Sequence, residues 1–186
     1  MPMRPPSPTA RLLAAAALAV ATLALSTGGA GATVVTTCRA AANSDARVDY
    51  GFCVAELGKH RDSPDADTWG LAKVAALTGV VNSDDAVYDI KAMLAKPGAG
   101  GSSRAALGQC QKIYDSVGFA FAEAEDSINN RDYAAGKGKA AEAALLARQC
   151  DGALAKAGAA PSPLAQYSSY SVKIAIICTA ITNLIK

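Results

Sequence analysis

Residues 164–186, LAQYSSYSVKIAIICTAITNLIK, decide the fold class, because their apolar and small residues repeat at helical spacing. The repeating positions are Leu164, Tyr167, Ser171, Ile174, Cys178, Ile181 and Ile185. Alternating steps of three and four residues place them on one face of a long helix that packs into a bundle. Pro161 and Pro163 come just before it, where a helix can start but cannot continue.

Three upstream segments show the same helical periodicity. Residues 65–95, 103–129 and 132–156 are each predicted to form a helix, and the break at residues 96–101, KPGAGG, separates the first two. Asn82-Ser83-Asp84-Asp85 interrupts the apolar stripe of the first segment. The pattern therefore leaves open whether that segment is one helix or two shorter ones.

The N-terminal part of the folded chain carries two shorter helical pieces within residues 33–57. Together with the four long segments they predict an all-α domain over residues 33–186. We expect a helical hairpin over residues 33–64, followed by an up-down four-helix bundle over residues 65–186.

The first 32 residues have the three parts of a secretory signal peptide. Arg4 and Arg11 supply the positive start, residues 12–25 are an unbroken apolar run, and Ala30-Gly31-Ala32 has the A-x-A form that signal peptidase accepts. The apolar run is too short to cross about 30 Å of hydrocarbon at about 1.5 Å per residue. We therefore expect cleavage after Ala32 and a secreted product that is not held in a membrane.

Charge and residue usage exclude several classes of partner and cofactor. The net charge of +2 becomes zero when Arg4 and Arg11 are removed, because residues 1–32 contain no acidic residue. A neutral chain with scattered basic residues argues against nucleic acid and anionic membranes as partners. His60 is the only histidine and no CxxC motif occurs, so we expect neither a metal nor another cofactor.

Five cysteines follow the signal peptide, which allows 15 arrangements of two disulfides with one thiol left over. Cys38 and Cys53 flank a local turn, while Cys110 and Cys150 fall at neighbouring points of an antiparallel helix pair. These positions along the chain therefore favour two disulfide bonds, Cys38–Cys53 and Cys110–Cys150. Cys178 lies on the buried face of the last helix, where it is interpreted as a small core residue, and a reactive or intermolecular thiol is the alternative.

No arrangement of side chains indicates catalysis. His60 stands in a polar stretch that is interpreted as a solvated loop, and no serine or cysteine has a histidine placed to activate it. Asp85 and Asp89 would share a helix face, but an ordinary solvated face explains them. A lipid carrier would need larger apolar residues than the alanine-rich third bundle helix offers, and a structural wall protein would show repeats.

Five short stretches carry a resemblance to a known family. They are DYGFCVAEL (49–57), CQKIYD (110–115), DYAA (132–135), CDG (150–152) and PSPL (161–164), the last followed by the Ile-rich helix. In their order and cysteine spacing the chain resembles the plant invertase and pectin methylesterase inhibitor family over its whole mature length. The resemblance implies a hairpin closed by one disulfide and a bundle whose second and third helices are tied by another.

The resemblance also implies inhibition of an enzyme by occlusion of its active-site cleft, in a 1:1 complex. The YGFCV stretch is most similar to invertase inhibitors, so a plant invertase (β-fructofuranosidase) is the expected target, and a pectin methylesterase is the alternative. Two departures bear on this choice: the Pro-Lys-Phe motif of some invertase inhibitors is absent at residues 130–133, and a common Ser-Ala-Ala-Leu run is Glu142-Ala143-Ala144-Leu145 here. The implied location is the apoplast, with the vacuole as the other possibility.

The contact surface is predicted at the turn between the second and third bundle helices. Its residues are Asn129, Asn130, Arg131, Asp132, Tyr133 and Lys137. An exposed tyrosine and arginine at such a turn are residue types that anchor interfaces. The alternative for Tyr133 is a structural one, in which it staples the start of the third bundle helix against the bundle.

Overall fold

The structure, a computed structural model, describes residues 30–96 and 101–186. The expected signal peptide lies outside the described residues, apart from the helical backbone of its last three. The described residues form helices and no strand, which confirms the all-α class. The helices are α1 (Ala30–Ser44), α2 (Tyr50–Leu57), α3 (Thr68–Ala95), α4 (Gly101–Asn129), α5 (Tyr133–Lys156) and α6 (Ala165–Thr182), with a 3₁₀ turn at Ser63–Asp65.

The four long helices close into a bundle in which each packs against two neighbours: α4 lies between α3 and α5, and α6 also contacts both α3 and α5. The shorter α1 and α2 form the hairpin that precedes it, and α1 packs on α6. A disulfide joins Cys38 of α1 to Cys53 of α2, and a second joins Cys110 of α4 to Cys150 of α5. The two-disulfide helical bundle expected from the sequence is thus the observed architecture.

Helix α3 is continuous, so the polar residues Asn82 to Asp85 do not divide it into two helices. The side chain of Asn82 is buried, and its Nδ2 donates hydrogen bonds to the carbonyl oxygen of Tyr167 at 3.1 Å and to Ser171 Oγ at 2.9 Å. Ser83 is also buried, and its Oγ donates to the carbonyl oxygen of Val80 at 2.7 Å. Because these polar groups have partners, they do not force a break.

Aspartate side chains cap the N-termini of two of the bundle helices. Asp67 accepts a hydrogen bond from the Gly70 amide at 2.8 Å at the start of α3, and Asp132 accepts one from the Ala135 amide at 3.0 Å at the start of α5. Such caps satisfy amides that have no partner within the helix. The helix predicted from residue 65 starts three residues later, because the 3₁₀ turn occupies residues 63–65.

The alanine face of α5 allows it to approach α4 closely. Ala140, Ala143 and Ala147 are fully buried, and a Cβ added at Gly136 would lie 2.7 Å from Ile128 Cγ1. Most of the larger core side chains come from the neighbouring helices, as Tyr114 and Phe121 of α4 illustrate, whereas α5 contributes Leu154.

Cys178 is the free cysteine within the described residues, and its side chain is fully buried. Burial raises the pKa of its thiol to about 12, and Sγ contacts the carbonyl oxygen of Ala72 at 3.6 Å. The thiol therefore stays protonated at physiological pH, which favours the interpretation as a core residue over a reactive group.

Candidate partner-binding site

The turn between α4 and α5 reverses the chain within three residues. Arg131 has a φ of 63°, in the left-handed region that usually holds glycine at this place. Its amide donates to the carbonyl oxygen of Ile128 at 3.0 Å, and the amide of Asp132 donates to that of Ser127 at 2.8 Å. This is the Schellman arrangement, which satisfies carbonyls of the last turn of α4 and places an exposed arginine at the left-handed position.

A conformation of this kind costs a non-glycine residue on the order of 1 kcal/mol. Glycine would avoid that cost, so the backbone alone gives no reason for an arginine at position 131. The side chain of Arg131 is therefore a candidate for a role in recognition.

Trp69 supports the turn from the start of α3. Its Nε1 donates to the carbonyl oxygen of Ile128 at 3.0 Å, which fixes the ring against the end of α4. The guanidinium of Arg131 lies 5.2 Å from the centre of this ring, and the ammonium of Lys73 lies 3.8 Å from it. Both cations are thus held by the negative face of the indole.

The predicted site residues occupy the turn and the first part of α5. Asn129, Asn130, Arg131 and Asp132 are exposed, whereas Tyr133 and Lys137 are half-buried. Lys73 Nζ donates to Asn129 Oδ1 at 3.0 Å, and Lys137 Nζ donates to Asn183 Oδ1 at 2.8 Å, beyond the end of α6. The structure brings Asn129 to Tyr133 together, while Lys137 lies one helical turn further on.

Tyr133 has the structural role that the sequence left as an alternative. It is half-buried and packs against the core, and its hydroxyl accepts a hydrogen bond from Arg131 Nη1 at 3.2 Å. The ring of Tyr133 therefore anchors the start of α5 to the bundle core, and its hydroxyl orients Arg131 across the turn.

The groups considered for catalysis have structural partners instead. His60 is half-buried in a turn rather than fully solvated, and its Nδ1 accepts from the Asp62 amide at 3.3 Å. Asp89 Oδ2 accepts from the Tyr167 hydroxyl at 2.6 Å. Within residues 30–96 and 101–186 no cluster of His, Cys, Asp or Glu could hold a metal ion. Among the same residues, no helix combines the length and hydropathy that crossing a bilayer requires.

Known proteins share both the sequence pattern and the fold. The family model described as "Plant invertase/pectin methylesterase inhibitor" matches residues 32–181. The chain is 64% identical over 159 residues to "Pectinesterase inhibitor 8" of Oryza sativa subsp. japonica, covering 86% of each chain. It is 46% identical over 176 residues to "Pectinesterase inhibitor 12" of the same organism, covering 94% of this chain and 85% of the relative.

A solved structure shares the fold. The crystal structure of a pectin methylesterase inhibitor from Arabidopsis thaliana superposes with a TM-score of 0.59 at 17% identity, covering 83% of this chain and 97% of that one. The family that these matches define consists of inhibitors rather than enzymes, in agreement with the absence of a catalytic motif in the sequence. The extent of the family match and the identity to both rice proteins show that the chain belongs to the plant invertase/pectin methylesterase inhibitor family.

Proposed function

We propose that this chain inhibits a pectin methylesterase. The observation that carries the proposal is the 64% identity, over 159 residues, to a protein named as a pectinesterase inhibitor. The sequence-based preference for an invertase rested on the short YGFCV stretch, and neither rice relative is named as an invertase inhibitor. The alternative target, pectin methylesterase, therefore replaces invertase as the main proposal.

The proposed contact surface is the α4–α5 turn, Asn129 to Tyr133, with Lys137 beside it. Two features support it. Arg131 and its neighbours are exposed, and Trp69 and the Asp132 cap already fix the backbone of the turn. A rigid turn loses little conformational freedom when a partner binds, which favours affinity.

We further propose that the protein acts outside the cell as a 1:1 complex with its target. The two disulfides support an oxidising compartment, where such bonds persist. The signal peptide expected at residues 1–32 supports the same route. Light scattering of the purified mixture would give the stoichiometry of the complex.

Replacing Arg131 with glycine is expected to weaken inhibition of a pectin methylesterase by about tenfold or more, because exposed arginines often dominate interface energy. Glycine relieves the cost of the left-handed φ, which offsets the lost contacts of Arg131 with Trp69 and Tyr133, so this variant should keep nearly the same melting temperature. Loss of inhibition could then not be attributed to loss of fold. The measurements are methanol release from methylated pectin against inhibitor concentration, and thermal unfolding by circular dichroism.

Tyr133→Phe is the matched control, since it keeps the half-buried ring and removes only the hydroxyl that orients Arg131. Its inhibition should fall by less than that of Arg131→Gly. Inhibition by Arg131→Gly equal to that of the unmodified protein would show that the turn is not the contact surface. A wild-type protein that leaves methanol release unchanged would exclude the proposed function itself.

A further inference from the structure

A groove of about 390 Å³ runs between α5 and α6 on the surface that Lys137 shares with the α4–α5 turn. Its floor is apolar and includes Ala144 and Leu145 of α5 and Val172 and Ile176 of α6. Leu145 is 58% exposed, while Val172 and Ile176 are half-buried. Isolated apolar residues are normal on a protein surface, but here the exposed leucine adjoins other apolar side chains in one groove, which is the kind of surface that a partner can cover.

The rim of the groove is basic. Lys137 and Arg148 stand at the two ends of its α5 side, 11 residues apart, which corresponds to about 16 Å along the helix axis. Arg47 is the third basic residue at the rim, and none of the described residues that line the groove is acidic.

The positive charges of Arg47, Lys137 and Arg148 are not equally neutralised by nearby carboxylates. Arg47 pairs with Asp45 at 2.7 Å, so most of its charge is neutralised within the chain. Lys137 donates only to the neutral amide of Asn183, and Arg148 is exposed with no ion pair among residues 30–96 and 101–186. The acids of α5 nearest to Arg148 are Asp151, which is half-buried and does not line the groove, and Glu142, which pairs with Lys139 at 3.1 Å. Lys137 and Arg148 therefore give the groove its positive potential.

We propose that this groove receives a segment of the target pectin methylesterase that carries carboxylates on either side of an apolar side chain. The proposal rests on the proposed function and extends its contact surface from the turn along α5 and α6. Lys137 lines the groove and lies one helical turn beyond Tyr133, so the groove begins close to the turn. Charge complementarity selects the occupant, since an apolar floor between two cations about 16 Å apart matches acidic groups at a similar separation.

The test is the inhibition constant for a pectin methylesterase, measured with Leu145→Glu and Arg148→Glu at low and at moderate salt. Leu145→Glu should raise the inhibition constant by about tenfold or more, because it places a charge on the floor. Arg148→Glu should raise it by about tenfold at low salt and less at moderate salt, because the lost attraction is screened.

Two substitutions outside the groove serve as matched controls. Val81 of α3 has the same exposed fraction as Leu145, 58%, so Val81→Glu introduces the same charge at an equally exposed position. Arg104 is an exposed arginine of α4, so Arg104→Glu matches the charge reversal at Arg148. Both controls should change the inhibition constant by less than about twofold.

The outcomes separate the two proposals. Inhibition by Leu145→Glu and Arg148→Glu equal to that of Val81→Glu and Arg104→Glu would overturn the groove while leaving the inhibitor function in place. A wild-type protein that does not inhibit the enzyme would overturn the proposed function, and the groove proposal with it. Weakening confined to the two groove variants would support both.

Discussion

Replacing Cys110 and Cys150 together with alanine is expected to lower the free energy of unfolding by about 4 kcal/mol at 25 °C. The disulfide joins residues 40 apart in the sequence, and its loss frees that long loop in the unfolded chain. The Cys38–Cys53 bond spans 15 residues, so its removal should cost less, about 3 kcal/mol. Chemical denaturation of each double variant under oxidising conditions would measure both changes.

Reduction provides the control for this prediction. The thiol of Cys178 is buried and unpaired, so a reducing agent should act on stability through the two disulfides. Reduction should therefore lower the free energy of unfolding more in the wild-type protein than in the Cys110→Ala/Cys150→Ala variant. Each reduced protein is compared with its own oxidised form. A double variant as stable as the oxidised wild type would contradict the role given to this bond.

Replacing Phe121 with alanine is expected to lower the free energy of unfolding by about 3–5 kcal/mol. The ring is fully buried, and a Cβ added at Gly79 would lie 2.6 Å from three of its carbon atoms. The ring thus lies directly against the backbone of α3, where Gly79 has no side chain to extend into the space that the ring leaves. At roughly 3 °C per kcal/mol for a domain of this size, the melting temperature should fall by about 10 °C.

Phe119 is the matched control, two residues away on the same helix and 72% exposed. Phe119→Ala should change the free energy of unfolding by no more than about 0.5 kcal/mol. Equal decreases in the free energy of unfolding for Phe121→Ala and Phe119→Ala would mean that the burial of Phe121 between α4 and α3 does not stabilise the fold. Thermal unfolding followed by circular dichroism suffices for both.

Local sequence signals predicted the helices because hydrophobic periodicity is a local property. The 3-and-4 spacing of residues 164–186 was enough to place α6. The continuity of α3 could not be predicted in this way, because the partners of Asn82 lie on α6, more than 80 residues away. Trp69 was missed for the same reason, since its hydrogen bond to Ile128 spans 59 residues.

The preference for an invertase is not confirmed, and the YGFCV stretch itself gives a physical reason why it is a poor guide to the target. Cys53 is buried in the hairpin disulfide, and the ring of Phe52 packs edge-on against Tyr170 with centres 4.9 Å apart. Asp49, just before the stretch, caps α2 by accepting from the Phe52 amide. These residues stabilise the hairpin. Their similarity to other members of the family therefore reflects the shared fold and does not identify the target enzyme.

The site itself was only partly predictable. The sequence indicated the turn and its exposed Arg131, but the left-handed backbone at that residue and the ring of Trp69 beneath it appear only in three dimensions. The groove between α5 and α6 was not predicted, because it arises where two helices distant in sequence meet.

The most direct test titrates one oxidised preparation of the protein against a plant pectin methylesterase and a plant acid invertase in parallel. Methanol release from methylated pectin should fall in proportion to added protein and reach its minimum near one inhibitor per enzyme, while sucrose hydrolysis should stay unchanged. Inhibition of the invertase with no effect on methanol release would contradict the account.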